Sequence, residues 1–364
     1  MTGEYWSRKA KAARGLRSDR LPHWEYLSNP DAETLLTGID YYDHPRECRL
    51  RLRECYPQLE LPVPETDAPV PRPRLSSDGE SADRARHTVR WGAGETTSYL
   101  HGEGVFHDAE EVFAFSPLAH ADFTGWEHVV NNWDFTSEEA IYQRLRRDYP
   151  AEWGDTAPPD AWAECSFYNT MFMWPLLTFG WELFLECCLE DRFARVMEEF
   201  LEINRRTFRA FARLPIHFVT CHDDIVMTRG PVCSPQWMKK YIFPAYEELF
   251  GIVKAAGKRV LFMTDGCIDA YADDVVATGA QGFISEPYTD YRAIARKHRD
   301  IMLAGEGDNR ILSRGDPAEI RAMVDGMRET AAMTGGYMMG IGNHIPWNVP
   351  PESVKLYLDY AAEK

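Results

Sequence analysis

An α/β chain folded as a (β/α)8 TIM barrel, with an N-terminal helical extension and a β-ribbon insertion, is what this sequence predicts, on three observations. One unit recurs five times in the second half: a short apolar run ending in acidic or small polar residues, then a segment of helical period. The runs are 216–224 (IHFVTCHDD), 259–265 (RVLFMTD), 281–286 (QGFISE), 301–306 (IMLAGE) and 336–343 (GYMMGIGN). Strands alternating with helices at this spacing imply parallel βαβ units, which close most simply into a barrel. The chemically unusual residues Cys221, His222, Asp223, Asp224, Asp265, Cys267, Glu286, Glu306, Asp308, Asn343 and His344 fall at or just beyond the run ends. Barrel enzymes carry their chemistry on the loops that follow strand C-termini.

Taken from the N-terminus, residues 1–20 read as a basic helical arm and 21–28 (LPHWEYLS) as a first short strand, with Asn29, Pro30 and Asp31 opening a helix. Helical periodicity continues over 33–56. Residues 57–82 are rich in proline and lack any period, as an extended surface connection does. Residues 87–115 alternate around Gly92, Gly94, Gly102 and Gly104, which predicts an antiparallel ribbon at the barrel mouth. Residues 160–168 (DAWAECSFY) read as a strand. From 176 to 213 the period is helical, with a charged face for solvent between Glu186 and Arg205. Ser234 is placed to cap a helix with Pro235 at its first position, and Pro244 should kink or split that helix before it ends at Gly257. Helices over 269–278, 290–298, 317–332 and 350–362 complete the alternation, with Asp269 and Asp290 as caps and Asp223 free to pair with a neighbouring Arg. The chain is thus expected to be one domain: a helical arm over 1–60, an extended segment and ribbon over 61–125, and regular β/α units over 160–364.

With 364 residues and 45% hydrophobic content the chain can bury one large core. Its 57 acidic and 40 basic residues give a net charge of −17, which repels phosphate backbones and anionic lipid and argues against nucleic acid or membrane partners. No apolar window approaches the ~20 residues of a membrane span, and no apolar stretch follows the basic N-terminus as a secretory signal requires. A cytoplasmic protein, assembling as a homodimer, is the expectation. Eight cysteines without a CxxC pair point to free thiols in a reducing compartment. The abundant Met, Trp, Tyr and Phe either line a pocket for a large flat ligand or fill the core.

In a barrel, Asp224, Asp265, Glu286, Glu306 and Asp308 share one mouth. So many carboxylates do not all ionise in a confined space without a cation, a cationic ligand or raised pKa values, and about half are expected to point inward. His222 and His344, with Cys221, Cys267 and a carboxylate, offer soft zinc ligands at no recognised spacing. The strings GEGD (305–308) and GIGN (340–343) bring backbone close to the mouth, as a phosphate or carboxylate cradle does, without a dinucleotide fingerprint.

From about residue 166 to 364 these strings resemble the uroporphyrinogen decarboxylase superfamily, which also contains corrinoid-linked methyltransferases that move methyl groups between methylcobamide and a thiol such as coenzyme M. DDIVMTRGPVCSPQWMKKYIFP (223–244) is similar to the family's acidic strand end and Ser-Pro helix start, and RVLFMTDG (259–266) to its strand ending His-Ser-Asp-Gly or His-x-Cys-Gly. GEGDNRIL (305–312) and GGYMMGIGNHIPWNVPPESV (335–354) resemble its last two strands and the Pro-Pro-Glu helix. Two departures matter. The Arg-Gln-Ala-Gly-Arg loop with which uroporphyrinogen decarboxylases grip substrate carboxylates is absent, and an acidic mouth repels an eight-carboxylate substrate. The methyltransferases hold zinc through His-x-Cys and a later Cys; here Met263 stands at the His position, Asp265 at the first Cys position, and Asn343 near the last, with His344 beside it. The usual Zn²⁺ ligand set is therefore absent, and Asp265, Cys267 and His344 are the residues left to hold a metal.

The resemblance implies a methyltransferase moving a methyl group between a corrinoid (cobalamin, free or on a partner corrinoid protein) and a small molecule. Asp224 and Asp265 are the candidate base or ligand pair, and His344 orients substrate or donates a proton. Glu286, Glu306, Asp308, Arg310, Asn343 and Met263 are the candidate substrate-binding residues, with Arg310 either neutralising Asp308 or holding a carboxylate. The alternative is a metal-free decarboxylase of a small aromatic or pyrrolic acid, in which an ionised carboxylate stabilises a protonated ring. A non-catalytic ligand-binding barrel is the third reading.

Overall fold

The computed structural model describes residues 11–13, 21–56, 59, 63–72, 86–91, 94–99, 105–126, 131–158 and 163–363, with backbone alone at 86–91 and 94–99. They form two compact units, residues 1–99 with 284–364, and residues 100–283. No helix among the described residues is long and apolar enough to cross a membrane.

The discontinuous unit begins with β1 (Leu27–Ser28), α1 (Pro30–Thr37) and α2 (Pro45–Cys55). Asn29 starts α1 as expected: its Oδ1 accepts the Ala32 N–H at 2.9 Å, and its Nδ2 donates to the carbonyls of Pro346 and Val349 at 3.0 and 2.8 Å. The period read across 33–56 is broken where Gly38 caps α1 at φ 73, a left-handed conformation that suits glycine. Of the ribbon read over 87–115, β2 (Arg86–Trp91) runs antiparallel to β3 (Gly94–Tyr99), whereas Ala109–Ala114, opened by the Asp108 cap, is helix and not strand. Of the basic arm, residues 11–13 are helical and the rest lies outside the described residues.

The continuous unit carries α3 (Ala109–Ala114), α4 (Glu138–Arg146), β4 (Glu164–Tyr168), α5 (Met173–Phe179), α6 (Trp181–Cys187), α7 (Phe193–Arg213), β5 (Phe218–His222), the hairpin β6 (Val226–Met227) and β7 (Gly230–Pro231), α8 (Pro235–Tyr241), α9 (Phe243–Ala255), β8 (Arg259–Met263), α10 (Ala272–Ala277) and β9 (Gly282–Ile284). The long period after 176 resolves into three helices. In α7, Phe193, Val196, Met197, Phe200, Ile203, Asn204, Thr207, Phe208 and Phe211 are buried at helical spacing, while Arg205 on the opposite face pairs with Glu248 and Glu198, both at 2.6 Å. Pro244 does split its helix, into α8 and α9, and Ser234 caps α8. The aromatic content of this unit goes into its core: Trp174 meets Phe135 at 4.8 Å, Phe123 at 5.4 Å and Phe200 at 5.7 Å.

After β9, on which the division between units falls, come α11 (Tyr291–Lys297), β10 (Met302–Ala304), α12 (Asn309–Arg314), α13 (Pro317–Ala331), β11 (Gly336–Met338), β12 (Ile345–Pro346) and α14 (Pro351–Ala362). The five predicted runs supply β5, β8, β9, β10 and β11, and the strands form a parallel sheet in the order β4-β5-β8-β9-β10-β11. β1 pairs in parallel with β12, Leu27 opposite Ile345. Parallel strands alternating with helices are the TIM-barrel-like arrangement that the repeat predicts. The glycines of GEGD and GIGN serve this packing. Gly305 has φ 93, and a Cβ there would lie 2.1 Å from the Ser285 carbonyl oxygen; one on Gly342 would lie 2.6 Å from the Gly305 oxygen.

Candidate functional site

In the continuous unit, the registers place Tyr168 opposite His222 and His222 opposite Met263, at the C-terminal ends of three neighbouring strands. Side chains alternate along a strand, and the burial follows that parity: Cys221 and Asp223 are fully buried, while His222 and Asp224 stay partly open. Asp224 is the hub. Its Oδ1 accepts from the His222 ring at 3.2 Å and from the Asp265 N–H at 2.8 Å, and its Oδ2 accepts from the Tyr168 hydroxyl at 3.1 Å. Burial alone would raise its pKa, but the bond and charge of His222, the Asp265 N–H and the Tyr168 hydroxyl together hold it below the usual carboxylate range. Burial, followed by the Asp224 charge, pushes the Tyr168 phenol up. Asp224 is thus an anion at neutral pH and Tyr168 a neutral donor.

The hairpin β6–β7 closes on this cluster. Gly266 has φ 85 and rests on the Met227 backbone, where a Cβ would come within 2.5 Å of the Met227 carbonyl carbon, and the Cys267 N–H donates to the Met227 oxygen at 3.0 Å. One donor atom from each of His222, Asp224 and Asp265 lies within 4.8 Å of the others. An imidazole and two carboxylates suit a hard or borderline divalent cation better than a thiolate zinc site does. Cys267 is not in this set; its thiol bonds Asp269, and burial raises its pKa. Among the described residues a second such grouping, His44, Glu47 and Asp67, lies at the exposed surface.

Asp223 does not pair with an Arg. It accepts the N–H groups of Met171, Phe172 and Met173 at 2.7, 2.8 and 2.7 Å and the Tyr246 hydroxyl at 2.7 Å. It therefore anchors the start of α5, and the correction has a simple cause: its strand parity turns it into the core. Asp269 likewise caps no helix, since α10 starts after Tyr271, whereas Asp290 does cap α11 through the Ala293 N–H.

Two residues of this cluster are not evident from the sequence. Tyr168 reaches it only through the β4–β5 register. Asn169, at φ 60, is fully buried with neither side-chain amide atom partnered among the described residues, and its N–H donates to the His222 carbonyl at 2.9 Å. A left-handed residue with an unsatisfied amide beside two site residues is the pattern found where structure serves function. The signal nearest to it in the sequence is the Tyr-Asn-Thr string at the end of a predicted strand.

The other candidates lie in the discontinuous unit. Glu306 is bound by the Tyr337 hydroxyl at 2.5 Å and the Thr330 hydroxyl at 2.8 Å, and burial raises its pKa despite both donors. Asp308 caps α12 and is neutralised by Arg310 through two-pronged contacts of 2.8 and 2.9 Å, the first of the two roles expected of Arg310. Asn343 donates to Glu286 at 3.4 Å and accepts from the His344 N–H at 2.8 Å. His344 contacts the same Asn343 oxygen at 2.9 Å and stacks edge-on against Tyr26 at 6.2 Å, and burial lowers its pKa. Burial thus disfavours its charged form. Of the predicted residues, Asp224, Asp265, Met263 and Cys267 belong to the continuous unit; Glu286, Glu306, Asp308, Arg310, Asn343 and His344 belong to the other.

A methyltransferase from Methanosarcina mazei has a similar structure, with a TM-score of 0.55 at 12% identity over 98% of each chain; at that identity the likeness shows the fold. A xylose isomerase-like TIM barrel protein from Mycobacterium smegmatis, in complex with magnesium, matches at a TM-score of 0.25 and 11% identity over 70% of this chain and 98% of its own, too low to support inference. No curated protein matches the chain. A family model described as uroporphyrinogen decarboxylase (URO-D) matches residues 182–364, a span that includes His222, Asp224, Asp265 and every glycine-bearing strand end above. With half its length so matched on a parallel α/β frame, the chain belongs to the uroporphyrinogen decarboxylase family.

Proposed function

We propose that this member of an enzyme family is a methyltransferase, moving a methyl group between a methylcobamide, free or on a corrinoid protein, and a small-molecule acceptor or donor. The observation that carries the reading is Asp265 standing with His222 and Asp224 at adjoining strand ends, where a nucleophile can be deprotonated and held. The full-length fold likeness to a methyltransferase supports it.

An acceptor X–H is weak until it loses its proton. Asp265 is the residue to take that proton, and Asp224 holds Asp265 in place through its N–H and keeps the neighbouring imidazole oriented. Tyr168, neutral, donates to Asp224 and keeps that carboxylate charged. The residues at the family's usual zinc positions, Met263, Asp265 and Asn343, do not fit a thiolate zinc site. A divalent cation held by His222, Asp224 and Asp265 would supply Lewis acidity to the same acceptor.

The test is methylcobalamin followed by its visible spectrum with added thiols, together with elemental analysis of tag-free protein. Loss of the methylcobalamin spectrum with wild type, and its persistence with a folded Asp265→Ala variant, is the expected result. An Asp265→Ala chain that retains turnover removes Asp265 from the mechanism. One observation favours a second reading: Asp224, kept ionised by three donors, is also suited to stabilise a protonated ring electrostatically. Release of CO₂ from an aromatic or pyrrolic acid without any methyl donor would establish that decarboxylase instead.

A further inference from the structure

In a chain where acids outnumber bases, residues 296–299 read Arg-Lys-His-Arg. This segment ends α11 and leads into β10, as residues 332–335 lead from α13 into β11. Met302 pairs with Gly336 in parallel register, so the two lead-ins run side by side at the N-terminal ends of their strands. The Gly335 N–H donates to the Arg299 carbonyl at 2.6 Å, and the Thr334 hydroxyl donates to the carbonyls of Arg299 and Ile301 at 3.3 and 2.5 Å. These bonds fix the backbone around a cleft of about 390 Å³, lined by Arg296, Arg299, Ala332, Met333, Thr334 and Gly335. Glu306 and Asn343 follow the other ends of the same two strands, so the cleft is no part of the chemistry considered above.

Around this cleft the arginines of the discontinuous unit are met by carboxylates: Arg292 by Glu329 at 2.7 Å, Arg310 by Asp308 at 2.8 Å, Arg314 by Glu319 at 2.7 Å and Arg328 by Asp325 at 2.9 Å. Glu329 of α13 is thus taken by Arg292, one turn before Arg296 on α11. Among the described residues neither the Arg296 nor the Arg299 guanidinium has a hydrogen-bond or ion-pair partner. Arg296 in the last turn of α11 offsets the negative helix end. Arg299 lies beyond that helix, and this role does not account for it. We propose that the cleft binds a dianionic oxyanion, the phosphate group of a small molecule. Guanidinium forks match phosphate oxygens in two-pronged contacts, and two of them balance the two charges of a phosphate monoester. A volume of this order holds a small ligand. The net charge of −17 repels an extended phosphate backbone, which sets a small phosphate apart from a nucleic acid.

The experiment titrates the full chain with inorganic phosphate at constant ionic strength and neutral pH, by calorimetry, with succinate as a second probe. Saturable binding of one phosphate is expected, weakened about tenfold or more in Arg296→Gln and in Arg299→Gln and left within about twofold in Arg51→Gln, a surface arginine paired with Glu54. No saturable binding, or equal binding by all three variants, would overturn the proposal; succinate binding more tightly than phosphate would overturn the assignment to phosphate. A second measurement needs no variant. Wild-type protein is treated with phenylglyoxal, with and without phosphate, and its modified arginines are mapped by mass spectrometry. Phosphate should protect 296 and 299 selectively; protection at other arginines with these two unprotected would also overturn the proposal. Neither readout requires a methyl donor, so the outcome is independent of the function proposed above.

Discussion

Replacing Tyr246 with Phe isolates one hydrogen bond in the core. Among the described residues the Tyr246 hydroxyl is the single side-chain donor to Asp223, at 2.7 Å, beside three backbone N–H groups. Both residues are fully buried, and the Tyr246 ring stacks on Phe250 at 5.3 Å with the planes 9° apart. Phenylalanine keeps that packing and loses only the hydroxyl, so no cavity of consequence opens. Burial pushes the Asp223 pKa up against its four donors; a hydrogen bond to a carboxylate contributes about 1.5–3 kcal/mol, and leaving a buried acceptor short of a donor costs about 1–3 kcal/mol. Tyr246→Phe should therefore cost about 2 kcal/mol, read as a lower urea midpoint at unchanged slope. Because Asp223 anchors the turn entering α5, the Met171, Phe172 and Met173 amides should also exchange faster in deuterium than their neighbours. A loss below about 0.5 kcal/mol with unaltered exchange would show that the three N–H groups suffice and that the hydroxyl is incidental.

Gly305→Ala should be among the most damaging single changes in the chain, because its Cβ would meet the Ser285 oxygen at 2.1 Å in a left-handed conformation; a melting temperature within a degree of wild type would contradict this. Glu306→Gln keeps its place between Tyr337 and Thr330 but abolishes a carboxyl whose folded pKa lies above its usual value of 4.5. A raised folded pKa adds stability below the unfolded pKa and loses it as pH rises through the folded one. The variant should thus gain on wild type as pH climbs past 4.5, measured by denaturation across pH 4–7; parallel stability curves would refute it. In the enzymatic assay, Asp265→Ala should lose turnover with its circular dichroism unchanged.

Strand identity was legible because apolar runs of five or so residues bounded by glycine and acids recur with a fixed punctuation, and all five emerged as strands. The split at Pro244 and the caps at Asn29, Ser234 and Asp290 were legible for local reasons, since each depends on residues within four positions. Asp223 and Asp224 look alike in the sequence, yet one is a core anchor and the other a site residue. Extending the alternation of β5 by two places separates them, so the difference is written in the sequence as strand parity. Tyr168 was not available in this way, because only the pairing of β4 with β5 brings it to Asp224. Asn169 was further still from reach, since neither its left-handed backbone nor its orphaned amide follows from composition. The helical period over 33–56 misled because Gly38 interrupts it with a turn that leaves the apolar spacing intact.

The pairing of β1 with β12 has a consequence for how the chain is made. Leu27 waits for Ile345, and Asn29 for the carbonyls of Pro346 and Val349, so the unit that contains them cannot assemble until its second segment has been synthesised. Residues 100–283 emerge in between as an unbroken stretch with its own core. At roughly 5–20 residues per second their synthesis takes about 10–40 s. During that interval Leu27 and the Asn29 amide lack the partners that they have in the folded chain.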